Sequence, residues 1–232
     1  MKVDALIMAG GKGSRMGSNS IEKPMQSVGG KPVVLRVVEA MESCENVGHI
    51  LVSVSNNTPK TERFLQEIGI ETICTSGNDF MQDMHTAFGV LDSEFVLTCP
   101  SDLPLIRSYT VDSFINFFRP EMESAIAVVD KETVVNTGIT PSFTSEIEGR
   151  EWVLSGLCIS DRVKTLMGKY LNESYMMTDW VDLAINVNTK YELSLSRGFF
   201  MNCDPIECQE SLCKVCELRQ ECPRRLDYRQ MQ

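Results

Sequence analysis

The apolar run Leu6-Ile7-Met8-Ala9 breaks directly into Gly10-Gly11-Lys12-Gly13-Ser14-Arg15-Met16-Gly17, and the stretch closes on Glu22-Lys23-Pro24. A strand over Val3 to Met8 that ends in glycines predicts a loop whose backbone takes positive φ and approaches an anion closely. Lys12, Arg15 and Lys23 supply positive charge to that loop. A plain turn would explain the glycines alone, because loose Gly-rich matches are common. Two common phosphate signatures fail. A P-loop carries Lys then Ser or Thr straight after its last glycine, whereas Gly13 is followed by Ser14-Arg15. In a dinucleotide fingerprint starting at Gly11, the third glycine falls at Met16, and helix-favouring sequence begins only beyond Lys31.

Charge and composition narrow the partners. A formal net charge of -10 argues against nucleic acid, whose phosphates need a basic surface. An anionic ligand must therefore meet a local basic pocket, and Lys12, Arg15, Lys23 and Lys31 mark it. No apolar run approaches the roughly 18 residues of a membrane span, and the chain opens on a strand pattern rather than a signal peptide. The expectation is a cytoplasmic protein with no membrane span. Cys44, Cys74, Cys99 and Cys158 lie in apolar segments and read as small buried hydrophobes.

Strand and helix patterns alternate through the first hundred residues. Val33, Val34, Val37, Val38 and Met41 share one helical face within Pro32 to Cys44. His49 to Ser55 is a strand, Lys60 to Ile68 a helix, Ile70 to Thr75 a strand, the stretch to Val90 a helix, and Glu94 to Cys99 a strand. Such spacing implies parallel crossovers, so the fold class is an α/β, Rossmann-like open and mostly parallel sheet with helices on both faces. Ligands then bind at strand carboxyl ends, which brings Gly10 to Gly17, Ser55 to Asn57, Thr75 to Asn78 and Ser101-Asp102 to one crevice. Further on, Val111 to Phe118 reads as a helix and Ser124 to Val129 as a strand, while Thr133 to Gly149 is irregular. Trp152 to Ile159 reads as a strand containing Gly156, Asp161 to Tyr170 as a helix, Val181 to Val187 as a buried strand, and Thr189 to Gly198 as a helix. Met176 and Met177 read as core. This less regular half is the natural place for a second substrate.

Asp102 ends an apolar strand, where a carboxylate can hold Mg²⁺ against phosphates or simply cap a turn. The phosphate loop on the same sheet edge favours the metal. Asn186 and Asn188 share a face by period-two geometry, so one can cap the following helix while the other, taken as Asn188, offers an amide oxygen to the cation. His49 and His85 read as structural, and no spacing suggests a covalent nucleophile.

Met8 to Pro24 resembles the nucleotidyltransferase signature Leu-x-Gly-Gly-x-Gly-x-Arg-Met-Gly followed by Lys-Pro. Together with Asn57 to Thr61 (NTPKT), Thr75-Ser76-Gly77 and Ile185 to Lys190 (INVNTK), residues 1 to 200 resemble the nucleotidyltransferases of glycosyltransferase-A-like fold. Within these, they resemble most closely the archaeal GTP:adenosylcobinamide-phosphate guanylyltransferases. The resemblance implies transfer of GMP from GTP to adenosylcobinamide phosphate, with release of pyrophosphate, in cobamide assembly. It implies a nucleotide-binding set of Ala9, Gly10, Gly11, Lys12, Gly13, Arg15, Lys23, Thr75, Ser76, Gly77, Asp102 and Gly156. Within that set, Arg15, on the β and γ phosphates, Lys23, on the α phosphate, and Asp102 are catalytic. Thr75 to Gly77 would face guanine, Gly156 would let acceptor or ribose approach, and Asp102 with Asn188 would hold Mg²⁺. Molybdopterin, phospholactate or a sugar phosphate are alternative acceptors, and a non-catalytic nucleotide or redox sensor is the alternative of another class. A homodimer is compatible with the sequence, which does not fix oligomeric state.

The apolar pattern stops near Phe200, giving a nucleotidyltransferase domain over 1–200 and a Cys-rich extension over 201–232. The extension holds Cys203, Cys208, Cys213, Cys216 and Cys222 within twenty residues. In a reducing compartment such thiols argue for a metal over disulfides. Cys208, Cys213, Cys216 and Cys222 are the expected ligands of an iron-sulfur cluster or Zn²⁺, with a redox or unliganded tail as the remaining option. A thiolate-saturated centre has no open position for phosphoryl transfer, so its role would be accessory. Truncation after Phe200 is accordingly expected to leave transfer intact and to remove iron or zinc, as checked by metal analysis of anaerobically purified protein.

Overall fold

The structure is a computed structural model that describes residues 1–16 and 21–201. The cysteine extension, with Cys203, Cys208, Cys213, Cys216 and Cys222, lies outside the described residues. In chain order the main elements are β1 (Val3–Met8), β2 (Ser27–Val28), β3 (Lys31–Pro32), α1 (Val33–Glu42), β4 (Val47–Ser55), α2 (Pro59–Glu67) and β5 (Thr72–Thr75). They continue with α3 (Phe80–Phe88), β6 (Phe95–Pro100), α4 (Ser108–Phe117), β7 (Ser124–Asp130), α5 (Lys131–Asn136) and β8 (Thr144–Ile147). The remainder are β9 (Arg150–Asp161), α6 (Arg162–Leu166), β10 (Glu173–Thr178), α7 (Val181–Ala184) and α8 (Lys190–Met201).

One sheet runs in the order β10-β7-β9-β6-β1-β4-β5, with β8 added to β9. β5, β4, β1 and β6 are mutually parallel, as are β7 and β10; β9 is antiparallel to both β6 and β7. β1 is covered on both faces, which is why it is apolar apart from Asp4, whose buried carboxylate accepts from Asp92 N and Ser93 N. Val3, Ala5 and Ile7 face the main core with α1 and α4, while Leu6 faces the opposite layer with Met84, Ala87 and Phe88 of α3. The four polar strand ends expected to meet do meet, because β5, β4, β1 and β6 are adjacent and run the same way.

Local chemistry sets the helix starts. Asp79, Asp130 and Asp161 each accept a hydrogen bond from the backbone N–H three residues on, capping α3, α5 and α6. α1 buries the valine face read from its periodicity.

Four local expectations change. Val181 to Val187 is not a strand: Val181–Ala184 forms one helical turn, and the chain then runs extended through buried Ile185 and Val187. A short apolar run does not distinguish strand from buried helix by pattern, and here buried Asp182 is drawn inward to Thr110 of α4 and to Arg107 just before it. The neighbouring place beside β7 belongs instead to β10, whose Met176 packs on the core while Met177 is exposed. Thr133 to Gly149 contains the end of α5 and all of β8, the latter hairpinned onto β9. Cys44 and Cys99 are buried and Cys158 is half-buried, but Cys74 is exposed, because β5 is the edge strand. Burial, with Asp112 nearby, pushes the Cys44 thiol up to about 12; burial also raises Cys99 and Cys158.

Phe114 is fully buried between α4 and the sheet. Phe114→Ala is expected to cost about 3–5 kcal/mol of stability, read from the midpoint of urea unfolding.

Candidate functional site

At the carboxyl end of β1 the chain leaves the sheet through a narrow gap against β4. A Cβ at Gly10 would lie 3.2 Å from both the Val54 carbonyl carbon and the Ser55 Cβ of β4. The Gly10 carbonyl accepts from Ser55 Oγ (2.6 Å) and Asn57 Nδ2 (3.2 Å). Beyond it, Gly13 takes φ +60°, and its carbonyl accepts from Met16 N at 3.0 Å to close the loop's last turn. The Met16 side chain is buried with Val28, Val33, Val187 and Leu193, so the loop is pinned at both ends.

A cleft of about 240 Å³ opens in front of this loop. It is lined by Ala9, Gly11, Lys12, Gly13, Ser14 and Arg15 of the loop, by Lys23 and Pro24, and by Pro100, Ser101, Asp102 and Asn188. Ser101 N donates to the Met8 carbonyl (3.1 Å), and Val187 N donates to the Asp102 carbonyl (2.9 Å). Those two bonds bring the end of β6 and the segment before α8 against the loop. Asn188 is free to face the cleft because Thr189 caps α8 in its place. Thr189 Oγ1 accepts from Glu192 N, and Glu192 Oε2 accepts from Asn188 N and Thr189 N, both at 2.7 Å, which is a capping box.

The side chains that bear charge then converge. Lys23 Nζ donates to Asp102 Oδ2 at 2.5 Å and to Asn188 Oδ1 at 2.8 Å; Arg15 donates to the same Asn188 oxygen at 2.9 Å. The Lys23 and Asp102 side chains are only 18% and 15% exposed, so this pair is far less screened than a surface ion pair. A carboxylate and an amide oxygen that both reach one ammonium form a hard-oxygen donor pair able to share a single cation. Among the described residues no three His, Cys, Asp or Glu side chains gather at one point. Magnesium held here would therefore complete its shell from phosphate oxygens and water, as it usually does.

The remaining expected residues, Thr75, Ser76, Gly77 and Gly156, do not line this cleft; Gly77 neighbours it through Gly10 and Gly156 through Pro100. Thr75 is buried, its hydroxyl spent on Ser53 Oγ and the Val54 carbonyl. Ser76 N and Oγ and Gly77 N all donate to the carboxylate of buried Asp83. Only backbone carbonyls of this loop remain to meet a base, and that of Gly77 accepts from Asn57 Nδ2 at 3.3 Å. Gly77 has φ +67°, and a Cβ there would come within 2.4 Å of Ser55 Oγ. Gly156, at φ +83°, sits on the other flank, where a Cβ would lie 3.0 Å from the ring of Pro100. His49 bonds Glu71 on an exposed surface and His85 bonds the Leu166 carbonyl, so neither enters the cleft.

Sequence reasoning missed three organising side chains: Glu22, Asn57 and Asp83. Asn57 and the partners of Glu22 lie in the NTPKT stretch, which pointed to them without assigning a task. Asp83 shares the face of Met84, Ala87 and Phe88, and an acid on an apolar helix face is a readable sign of a buried partner.

The pattern of the MobA-like NTP transferase domain matches residues 5–169. The adenosylcobinamide-phosphate guanylyltransferase of Methanocaldococcus jannaschii is 31% identical over 205 residues, covering 84% of this chain and 95% of that protein. A probable molybdenum cofactor guanylyltransferase of Thermococcus gammatolerans is 24% identical over 191 residues, covering 81% and 95%. Among solved structures, a nucleotidyl transferase from Methanothermobacter superposes with a TM-score of 0.65 at 13% identity, over 88% of this chain and 99% of that one. A CMP:2-keto-3-deoxy-manno-octonic acid synthetase complexed with CTP gives 0.64 at 15% identity, over 87% and 99%. These two share the fold. Since the domain pattern spans most of the chain and the Methanocaldococcus relative aligns over nearly its full length, the chain belongs to the MobA-like NTP transferase family and is a nucleotidyltransferase.

Proposed function

We propose that the protein transfers GMP from GTP to adenosylcobinamide phosphate, releasing pyrophosphate, in cobalamin biosynthesis. The observation that carries this reading is the convergence of Lys23, Arg15, Asp102 and Asn188 on one cleft in front of the glycine loop. The acceptor and the nucleotide are those in the name of the Methanocaldococcus relative, and its alignment runs the length of the domain.

The chemistry needs no general base. A terminal phosphate oxygen of the acceptor is already an anion near neutral pH, so the protein must hold it in line with the α-phosphorus. That oxygen forms the new bond to the α-phosphorus, the bond from the α-phosphorus to the bridging oxygen breaks, and pyrophosphate leaves with the electron pair. Lys23 stabilises charge on the α-phosphate, Arg15 takes the β and γ groups, and Gly11 and Gly13 let the backbone approach the triphosphate. Gly10 works from behind, since its carbonyl is held by Ser55 and Asn57. The Ser76-Gly77 turn, shaped by Asp83, faces the base, and the Gly156 flank receives the acceptor. Asp102 and Asn188 would hold Mg²⁺, which when bound neutralises phosphate charge. An enzyme of this kind works in the cytoplasm, where GTP is found.

Pyrophosphate release should be fast with GTP and adenosylcobinamide phosphate and slow with ATP or with molybdopterin, phospholactate and sugar phosphate acceptors. In that assay Lys23→Ala should lower kcat/KM by about 10²- to 10³-fold, the usual cost of losing one charge-stabilising donor. Release with another acceptor alone would reassign the substrate. Isothermal titration of GTP should show tighter binding with Mg²⁺ in the wild type, and Asp102→Ala should abolish that difference; an unchanged metal dependence removes Asp102 from the cation site.

A further inference from the structure

We infer that Glu22 is a positioning residue for Lys23, acting by capping helix α2 from a segment nearly forty residues upstream. The reasoning starts with the open end of α2. A helix begins with backbone N–H groups that have no partner inside it. Pro59 has no N–H to satisfy, which leaves Lys60 and Thr61. The residue placed to cap them, Thr58, makes no side-chain cap; its hydroxyl is turned to the backbone of Ser55.

Glu22 supplies what Thr58 does not. Its Oε1 accepts from Lys60 N at 2.8 Å, and its Oε2 accepts from Thr61 N and Thr61 Oγ1, both at 2.7 Å. Thr61 is fully buried, so its hydroxyl has little choice of partner. Both carboxylate oxygens are committed to the helix start, where negative charge is favoured by the helix dipole. Glu22 is not among the residues that line the cleft.

The next residue is Lys23, which opens the short turn Lys23–Met25. From this turn the Lys23 side chain reaches Asp102 and Asn188. With Glu22 clamped to α2, the origin of that side chain is fixed on a regular element of the fold. The segment from Ser55 to Thr61 then controls three parts of the site. It holds the phosphate loop through the Gly10 carbonyl, the base loop through the Gly77 carbonyl, and the Lys23 turn through Glu22.

The catalytic consequence rests on the reading that Lys23 stabilises the α-phosphate, so the test separates position from catalysis. Brief reductive methylation with peptide mass spectrometry reports whether Lys23 is held, with exposed Lys12 as the internal reference. In Glu22→Ala the labelling of Lys23 relative to Lys12 should rise several-fold, while Glu22→Asp keeps a carboxylate and should fall between. In the pyrophosphate assay Glu22→Ala should lower kcat by about tenfold to a hundredfold, the scale of a small misplacement of a reacting group. KM for GTP should change far less. In a Lys23→Ala background the same Glu22 substitution should cost almost nothing, because its effect passes through Lys23. If Glu22→Ala does not fold cooperatively, Glu22→Gln, which keeps the length and one acceptor oxygen, takes its place. Unchanged Lys23 labelling overturns the proposal, and so does an equal loss of kcat in both backgrounds, which marks Glu22 as merely structural. Increased labelling with unchanged kcat upholds the positioning and overturns the catalytic assignment of Lys23 instead.

Discussion

The organising constraint is the burial of β1 on both faces at the middle of the sheet. A strand with no solvent side cannot bend gradually toward a ligand; it must leave through its carboxyl end. There β4 lies so close that a Cβ at Gly10 would stand 3.2 Å from its backbone, tighter than ordinary contact. The exposed main chain that follows is the surface proposed to bind the triphosphate. The same closeness ties the loop to Ser55 and Asn57, so the phosphate site is rigid on the side facing the sheet. Its other end is held by Met16 in a small apolar cluster with Val187 and Leu193. A loop fixed at both ends needs little further ordering to receive a ligand, which is the physical meaning of preorganisation.

Asn188 shows how a capping choice decides chemistry. If Asn188 capped α8, its amide oxygen would be turned to the helix and Asp102 would be the sole oxygen facing Lys23. The Thr189 and Glu192 box satisfies the helix start reciprocally and leaves that oxygen to Arg15 and Lys23. α2 solves the same problem in the opposite way, leaving its own Thr58 uncommitted to the cap and importing Glu22. In both cases the requirement to satisfy helix N–H groups determines which polar side chains remain for the cleft.

Much of this was legible because it follows from short-range rules. The burial of β1, the α1 face and the convergence of four strand ends all come from periodicity and from the way parallel sheets expose their carboxyl ends. Residue type and place pointed to Lys23 as a loop charge and to Asp102 and Asn188 as cation oxygens, the resemblance joined them in one site, and in the structure they touch. What sequence could not reach are pairings across long separations: Glu22 with Thr61 and Asp182 with Thr110. Each is a buried or half-buried carboxylate whose partner is an N–H or hydroxyl on another segment, and local propensity carries no term for it. The mistaken strand at Val181 to Val187 has the same origin, since Asp182 is held by α4 rather than by its own neighbours.

The second half of the sheet follows from one reversal. β9 runs antiparallel between β6 and β7, so β7 and β10 point the same way as β1 and β6, and their carboxyl ends reach the same edge as the phosphate loop. A purely parallel continuation would need another long crossover to do this. The reversal has a local cost at Gly156, where the pairing with β7 slips and the backbone takes a positive φ against the Pro100 ring. A side chain there would push β9 away from the end of β6, two residues before Asp102. Gly156 thus keeps β9 in contact with the end of β6, the strand that leads into Asp102, so the reversed strand and the phosphate-loop side of the sheet share one continuous backbone framework.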